Sequence, residues 1–322
     1  MYELKNDLRE YVKSLIQPYD FGIEIGGGYN PLILKNEYSV YTIDHLTKED
    51  LIEKYKYDKN VNHLICRIQH VDAVDDGREF KDLLGKDLNF NYIVSIHNFE
   101  HIPNPIRFLQ RCENAISENG KVYLIIPDRR GTFDYFRPYT SIGQWMDAYR
   151  ENRTVHSYSS FYDQFAYCVD GNYDYGAVNF QYSPQLAQMH ISKSYRSSCY
   201  VDVHGFVYTP ATFLFLITYI QKLGLTSLGV YKIVTCPNSN FEFLAILGKG
   251  EGPEVSLKEA AISMVGENIN HRRSFHEPPA SPQIPLRHQI YARIKKQHPF
   301  FTKLIYPFAL AIWRIYKFFT SK

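Results

Sequence analysis

Between Phe21 and Pro31 the chain reads Phe-Gly-Ile-Glu-Ile-Gly-Gly-Gly-Tyr-Asn-Pro, an apolar run that carries one acid, Glu24, and ends in three consecutive glycines. Glycine accepts positive φ angles and, lacking Cβ, lets backbone approach a ligand closely. Asn30-Pro31 is a start signal for a helix, whose first N–H groups attract an anion. Gly26, Gly27, Gly28 and Asn30 therefore suit the polar end of a nucleotide-type cofactor, with Glu24 beneath them at the strand's end.

A dinucleotide loop asks for G-x-G-x-x-G, with a third glycine where this chain has Pro31, and it asks for no acid inside the strand. Both departures favour S-adenosylmethionine. A second apolar run, Ser39 to Ile43, ends in Asp44, sixteen residues after Gly28, with His45 beside it. A carboxylate there can accept both hydroxyls of a ribose. A third run near His70 to Val74 leads into Asp75-Asp76-Gly77, where Asp76 and Gly77 form a polar edge suited to an adenine amino group. A fourth, Asn91 to Ile96, leads into His97-Asn98-Phe99-Glu100-His101-Ile102-Pro103-Asn104-Pro105, which brings Asn98 to the same side.

These stretches, in this order, resemble the class I S-adenosylmethionine-dependent methyltransferases, and most closely the group whose fourth-strand motif reads E-H-[LI]-x-[DN]-P. The likeness runs from about Tyr19 to Lys249, with an insertion, and the string Phe99 to Pro105 is its most specific part. Pro127 to Ser141 (PDRRGTFDYFRPYTS) further resembles members associated with bacterial surface polysaccharide synthesis. The resemblance implies a Rossmann-like seven-stranded sheet, S-adenosylmethionine as cofactor, and an O-methylated saccharide or lipid-linked glycan as acceptor.

Methyl transfer needs the nucleophile in line with the S–CH₃ bond in a dry pocket, and a base if that nucleophile is a hydroxyl. The candidate bases are His204, Asp134, His101 and Asp128. His204 precedes Thr209-Pro210, a helix cap followed by proline at the first helical position, and Asp202 is near enough in sequence to orient it. In the family, the position of His101 often shapes the cofactor pocket. None of the twelve histidines is read as a metal ligand, and no metal is expected.

The elements that must position these groups alternate. Strands near 21–25, 39–43, 70–74, 91–96 and 121–126 are separated by helical stretches such as Ile106 to Ala115, a pattern of parallel sheet with ligands at the carboxyl ends of the strands. Leu228 to Thr235 and Asn240 to Gly248, joined by Cys236-Pro237-Asn238-Ser239, predict a final antiparallel hairpin. The expected class is thus α/β: a mostly parallel seven-stranded sheet with an antiparallel final strand, an aromatic-rich insertion and a C-terminal helical tail. Leu4, Leu8, Tyr11, Val12 and Leu15 share one face of an N-terminal helix expected to cover the cofactor. The insertion, about residues 129–198, is dense in aromatic residues and is expected to bind the acceptor, rings serving sugar faces. Arg129, Arg130 and Arg137 could meet an acidic group there, or anchor the loop.

Of 36 basic residues eight follow Pro278, where no acid occurs, so the preceding chain carries 28 against 34 acids. A mildly acidic body lacks the basic stripe that tracks a nucleic acid, which is excluded as a substrate. Five scattered cysteines without a C-x-x-C pair, and a charged N-terminus without an apolar signal core, point to the cytoplasm. Residues 1–250 read as the catalytic domain, 251–285 as a proline-bearing linker, and 286–322 as a basic amphipathic tail. Its apolar core, Leu304 to Trp313, is too short to span a bilayer, so peripheral contact with anionic lipid is expected, docking on protein being the alternative. Two further functional readings stand beside the methyltransferase: a binding protein of that fold without activity, and a nicotinamide-dependent oxidoreductase.

Overall fold

A computed structural model describes residues 2–3, 7–87, 89–172, 177–196, 198–236, 239–250 and 255–276. The chain divides into two units, residues 1–269 and 270–322. The second holds only the last residues of one helix among those described, and the tail at 286–322 lies outside them.

The strands are β1 (Tyr2–Glu3), β2 (Phe21–Ile25), β3 (Ser39–Asp44), β4 (Ala73–Val74), β5 (Phe90–Ile96), β6 (Ile116–Pro127), β7 (Val169–Asn172), β8 (Ala177–Phe180), β9 (Leu228–Cys236) and β10 (Ser239–Lys249). The helices are α1 (Leu8–Leu15), α2 (Lys48–Tyr55), α3 (Phe80–Leu84), α4 (Pro105–Ala115), α5 (Ile142–Arg150), α6 (Tyr158–Tyr167), α7 (Pro184–Ser194), α8 (Pro210–Lys222) and α9 (Leu257–His276). The main sheet runs in the order β1-β9-β10-β6-β5-β2-β3-β4, and β7-β8 form a separate hairpin. Strand β10 is antiparallel to both its neighbours, β6 and β9, while the other pairs of the main sheet are parallel. The seven strands expected, with the antiparallel one last, are thus present, and two-residue β1 adds an eighth at one edge.

Alternation along the strands splits the core between the two faces of the sheet. Val122, Leu124 and Ile126 of β6 and Phe243, Ala245 and Leu247 of β10 join one cluster with α4, α5 and α8. Tyr123 and Ile125, with Leu244 and Ile246, join the other, where α1 contributes Leu8 and Val12. Helix starts follow local chemistry: Asn104 Oδ1 accepts from Arg107 N–H at 3.1 Å ahead of Pro105, and Thr209 Oγ1 accepts from Thr212 N–H at 3.3 Å ahead of Pro210.

Three expectations fail. The described residues form no helix between β2 and β3, where Asn30-Pro31 was read as a helix start. Instead the Glu24 carboxylate accepts from the N–H groups of Leu32 (2.6 Å) and Ile33 (3.2 Å), and both apolar side chains are buried, so the segment is pinned in an irregular fold. The third strand is only Ala73–Val74. The short helix expected at Leu257 to Val265 within the linker is longer, since α9 continues to His276 from a Ser256/Glu259 capping box, with Glu259 N–H to Ser256 Oγ at 3.2 Å and Ser256 N–H to Glu259 Oε2 at 2.9 Å.

Candidate active site

The sheet order reverses at β2, which pairs with β3 on one side and β5 on the other. A crevice opens at the carboxyl ends of strands at such a point, and here it is a cleft of about 850 Å³. Gly26, Gly27, Gly28, Asn30, Asp44, His45 and Asn98 line it, as do Glu24, His101 and His204.

At the β2 end the backbone carries the shape. Gly26 has φ +71° and packs so close to Asn98 that an added Cβ would lie 2.7 Å from its Oδ1. Asn98 is fixed by donating its amide to Ser95 Oγ at 3.0 Å. Asp44, 2% exposed, accepts from Gly28 N–H (3.1 Å) through Oδ2 and from His45 N–H (2.8 Å) through Oδ1, which also faces His45 Nδ1 at 2.6 Å. Its Oδ2 thus retains acceptor capacity for a ligand hydroxyl. Glu24 is committed to the loop itself, and burial pushes its carboxyl up to about 7 against the pull of the Leu32 and Ile33 N–H bonds and of Arg9. Arg9, unremarked in the sequence, reaches the cleft from α1 and donates to the Asn30 carbonyl at 2.8 Å. Asp76 does not line the cleft; it is exposed and paired with Arg78 at 2.8 Å. Gly77, φ +89°, is likewise outside the lining. At this edge partly buried Asp75 pairs with buried Arg111 at 2.7 Å.

At the other end side chains converge. Asp134 Oδ2 lies 2.5 Å from Nδ1 of His204, and Arg137 donates both to Asp134 Oδ1 (3.0 Å) and to the His204 carbonyl (2.8 Å). A carboxylate only accepts, so Nδ1 carries the proton and Nε2 of a neutral His204 is left as the lone-pair atom. Burial would raise the Asp134 carboxyl, yet the neighbouring His204 and Arg137 hold it below the usual range. Asp202 was expected to orient His204; it pairs instead with His101 Nδ1 (2.8 Å) and Lys54 (2.9 Å). Burial opposes charge on His101, but Asp202 and Glu100 raise its pKa overall. The His101 and His204 rings meet edge to face, centroids 4.7 Å apart. Between them Glu100, 2% exposed, places Oε1 3.6 Å from His101 Nε2 and 3.8 Å from His204 Nε2.

His97 takes φ +46°, in the left-handed region unusual for a side chain with Cβ, and its Nε2 bonds Glu242 at 2.7 Å. Asp128 is bound to Arg130 by several contacts, including Nε to Oδ1 at 2.9 Å, and is unavailable as a base. Arg129 donates to the Tyr135 carbonyl at 2.5 Å, so Arg129, Arg130 and Arg137 each anchor the protein itself. Among the described residues no aromatic side chain of 129–198 lines the cleft. Trp145 is in the core, and Phe161, Phe165, Tyr182, Tyr195 and His190 pack on one another. The rings at the cleft are Tyr29, Tyr55, Tyr200 and Phe241. Two side chains passed over in the sequence are Glu100 and His97, although His97-Asn98-Phe99-Glu100-His101 puts two histidines four residues apart with an acid between them.

No curated protein matches this chain. Among solved structures, a Rhodobacter sphaeroides protein described as a zinc-dependent alcohol dehydrogenase is 13% identical over 77% of this chain and 92% of its own, TM-score 0.43. The CcbJ methyltransferase of Streptomyces caelestis is 10% identical over 75% of this chain and 87% of its own, TM-score 0.39. A Methanosarcina mazei protein described among S-adenosylmethionine-dependent methyltransferases is 14% identical over 76% of this chain and 99% of its own, TM-score 0.37. Likenesses of that size carry no inference about chemistry. Residues 20–169 match the family model described as a methyltransferase domain. The glycine loop, Asp44, the Phe99–Pro105 string and Asp134 therefore all fall within a stretch that matches a methyltransferase domain.

Proposed function

We propose that the protein transfers a methyl group from S-adenosylmethionine to a hydroxyl of a saccharide-type acceptor. One observation carries the reading: a single cleft joins a glycine-loop end, suited to the nucleoside and amino acid of the cofactor, to an end where a carboxylate-held imidazole presents a lone pair. The ribose is assigned to Asp44 and the amino acid portion to Gly26–Gly28 and Arg9, whose guanidinium suits a carboxylate. His204 is assigned as the base, Asp134 holding its tautomer, and His101 with Asp202 completes the wall beside it. The acceptor class is supported by the polar lining interleaved with Tyr29, Tyr55, Tyr200 and Phe241, rings that can cover the C–H faces of a sugar.

The test is calorimetric titration with S-adenosylmethionine, S-adenosylhomocysteine and NAD in parallel, followed by a labelled-methyl assay across neutral and acidic saccharides. Binding of the first two and not of NAD is the expected result. Binding of NAD alone would replace the reading with an oxidoreductase, and tight cofactor binding without transfer to any hydroxyl acceptor would leave only the binding-protein reading.

A further inference from the structure

We infer that Glu100, His101 and His204 form a binding site for one divalent transition-metal ion of the zinc or cobalt class. The argument starts from Glu100, both of whose carboxylate oxygens are buried and accept no hydrogen bond among the described residues. A carboxylate in that state is costly unless a positive charge stands against it. The groups nearest it are Nε2 of His101 at 3.6 Å and Nε2 of His204 at 3.8 Å, both beyond hydrogen-bond reach. Each ring turns its other nitrogen to a second carboxylate, His101 to Asp202 at 2.8 Å and His204 to Asp134 at 2.5 Å. In the neutral tautomers this leaves two lone pairs and an anionic oxygen converging, all within 4.8 Å of one another. A cation between them offsets the carboxylate, and separations beyond hydrogen-bond reach leave room for an ion larger than a proton.

The spacing suits an ion. Half of either 3.6 or 3.8 Å is less than the metal–ligand bond of about 2.0–2.2 Å, so one ion can touch the Glu100 oxygen and either nitrogen. A carboxylate hydrogen-bonded behind the ring, as Asp134 is to His204, is the usual way in which metal-binding imidazoles are held, and Asp202 stands behind His101 as an ion-pair partner. Two nitrogens and one oxygen favour zinc, cobalt or iron over magnesium or calcium, which take oxygen. Three protein ligands leave a position open to the cleft, where a water or an acceptor hydroxyl can bind. The site shares the cleft of the proposed transfer but not its cofactor groups. Base and ligand are alternative uses of the one lone pair on Nε2 of His204: an ion held there by Glu100, His101 and His204 would supply the acidity of a bound hydroxyl that the imidazole otherwise supplies as base.

The full-length protein, stripped with a chelator, is titrated with Co²⁺ and Zn²⁺. Cobalt absorption reports coordination, and equilibrium dialysis with elemental analysis reports stoichiometry. One ion per chain is expected, with affinity lowered at least about 100-fold in Glu100→Gln and about 10- to 100-fold in Asp202→Asn. No retained ion, or equal affinity in wild type and Glu100→Gln, overturns the site. Should Glu100→Gln fail to fold, His101→Asn carries the same test at a ligand nearer the surface. S-adenosylhomocysteine is titrated into the same samples: metal binding without it removes the cofactor reading and keeps the site, and its binding without metal does the reverse.

Discussion

The two ends of the cleft are built in opposite ways. At the end of β2 the shape is backbone, drawn from neighbouring sequence, with Gly28 reaching Asp44 across 16 residues. At the Glu100 end the working groups are side chains brought from far apart, His204 to Asp134 across 70 residues and Lys54 to Asp202 across 148. A backbone site holds as long as its conformation does. A side-chain site holds only while the insertion and the segment around residues 200–208 pack against the sheet. On the proposed reading the transfer chemistry therefore sits where the chain is least local, and cofactor binding sits where it is most local.

The largest expected effect tests that division. His204→Ala should lower turnover about 100-fold or more while S-adenosylhomocysteine affinity stays at its wild-type value. A parallel fall in affinity would show that the two ends are one unit and break the comparison. Next comes Glu24, whose folded carboxyl sits at about 7 where an unfolded one sits near 4.5. The folded state then holds the extra proton between those values, so stability is highest below pH 4.5 from this group and falls as pH rises through 7, by about 3 kcal/mol in all. Urea unfolding of wild type and Glu24→Gln at pH 5 and pH 8 should show that slope in the former and its loss in the latter. Identical slopes would mean the loop does not depend on the acid beneath it.

Smaller is Asp44→Ala, which should weaken S-adenosylhomocysteine by about 1.5 to 3 kcal/mol, the scale of hydrogen bonds to a charged group, and leave folding cooperative. Unchanged affinity would take the ribose away from β3. Least of all is Lys54→Ala, which breaks a half-exposed pair with Asp202 and should change unfolding free energy by about 0 to 1 kcal/mol. A larger loss would mean that the outer contacts of the side-chain end hold it together.

What could be read from the sequence follows the same line. The strands other than the third, the antiparallel β10, the glycine loop and the Thr209 cap are local signals of period, turn and cap, and they stand in the fold as expected. The missing helix after Gly28 was hidden because Asn30-Pro31 is a true start signal, and only the fold shows Glu24 taking the N–H groups of Leu32 and Ile33. Asp202 and Asp134 are both near candidate histidines in kind, but which carboxylate meets which ring is decided by packing. The aromatic insertion differs from expectation for a related reason: composition states that rings are present, not which way they turn, and Trp145 and Phe161 turn inward while Phe136, Tyr158 and Phe180 face solvent. The start of helix α9 at Leu257 is legible in the sequence, while its run on to His276 is obscured by the prolines from Pro278 onward.

Glu24 gives the cleft one more property. At neutral pH a carboxyl at about 7 is close to half ionised, and it lies under the loop assigned to the cofactor's amino acid portion, whose ammonium group is cationic. On that assignment an incoming positive charge favours the ionised form, so binding expels part of a proton, and the heat of binding changes with the ionisation enthalpy of the buffer. The sulfonium of S-adenosylmethionine adds a charge that the product lacks. Substrate and product should then expel different amounts, and each turnover would pass a fraction of a proton out of the protein and back.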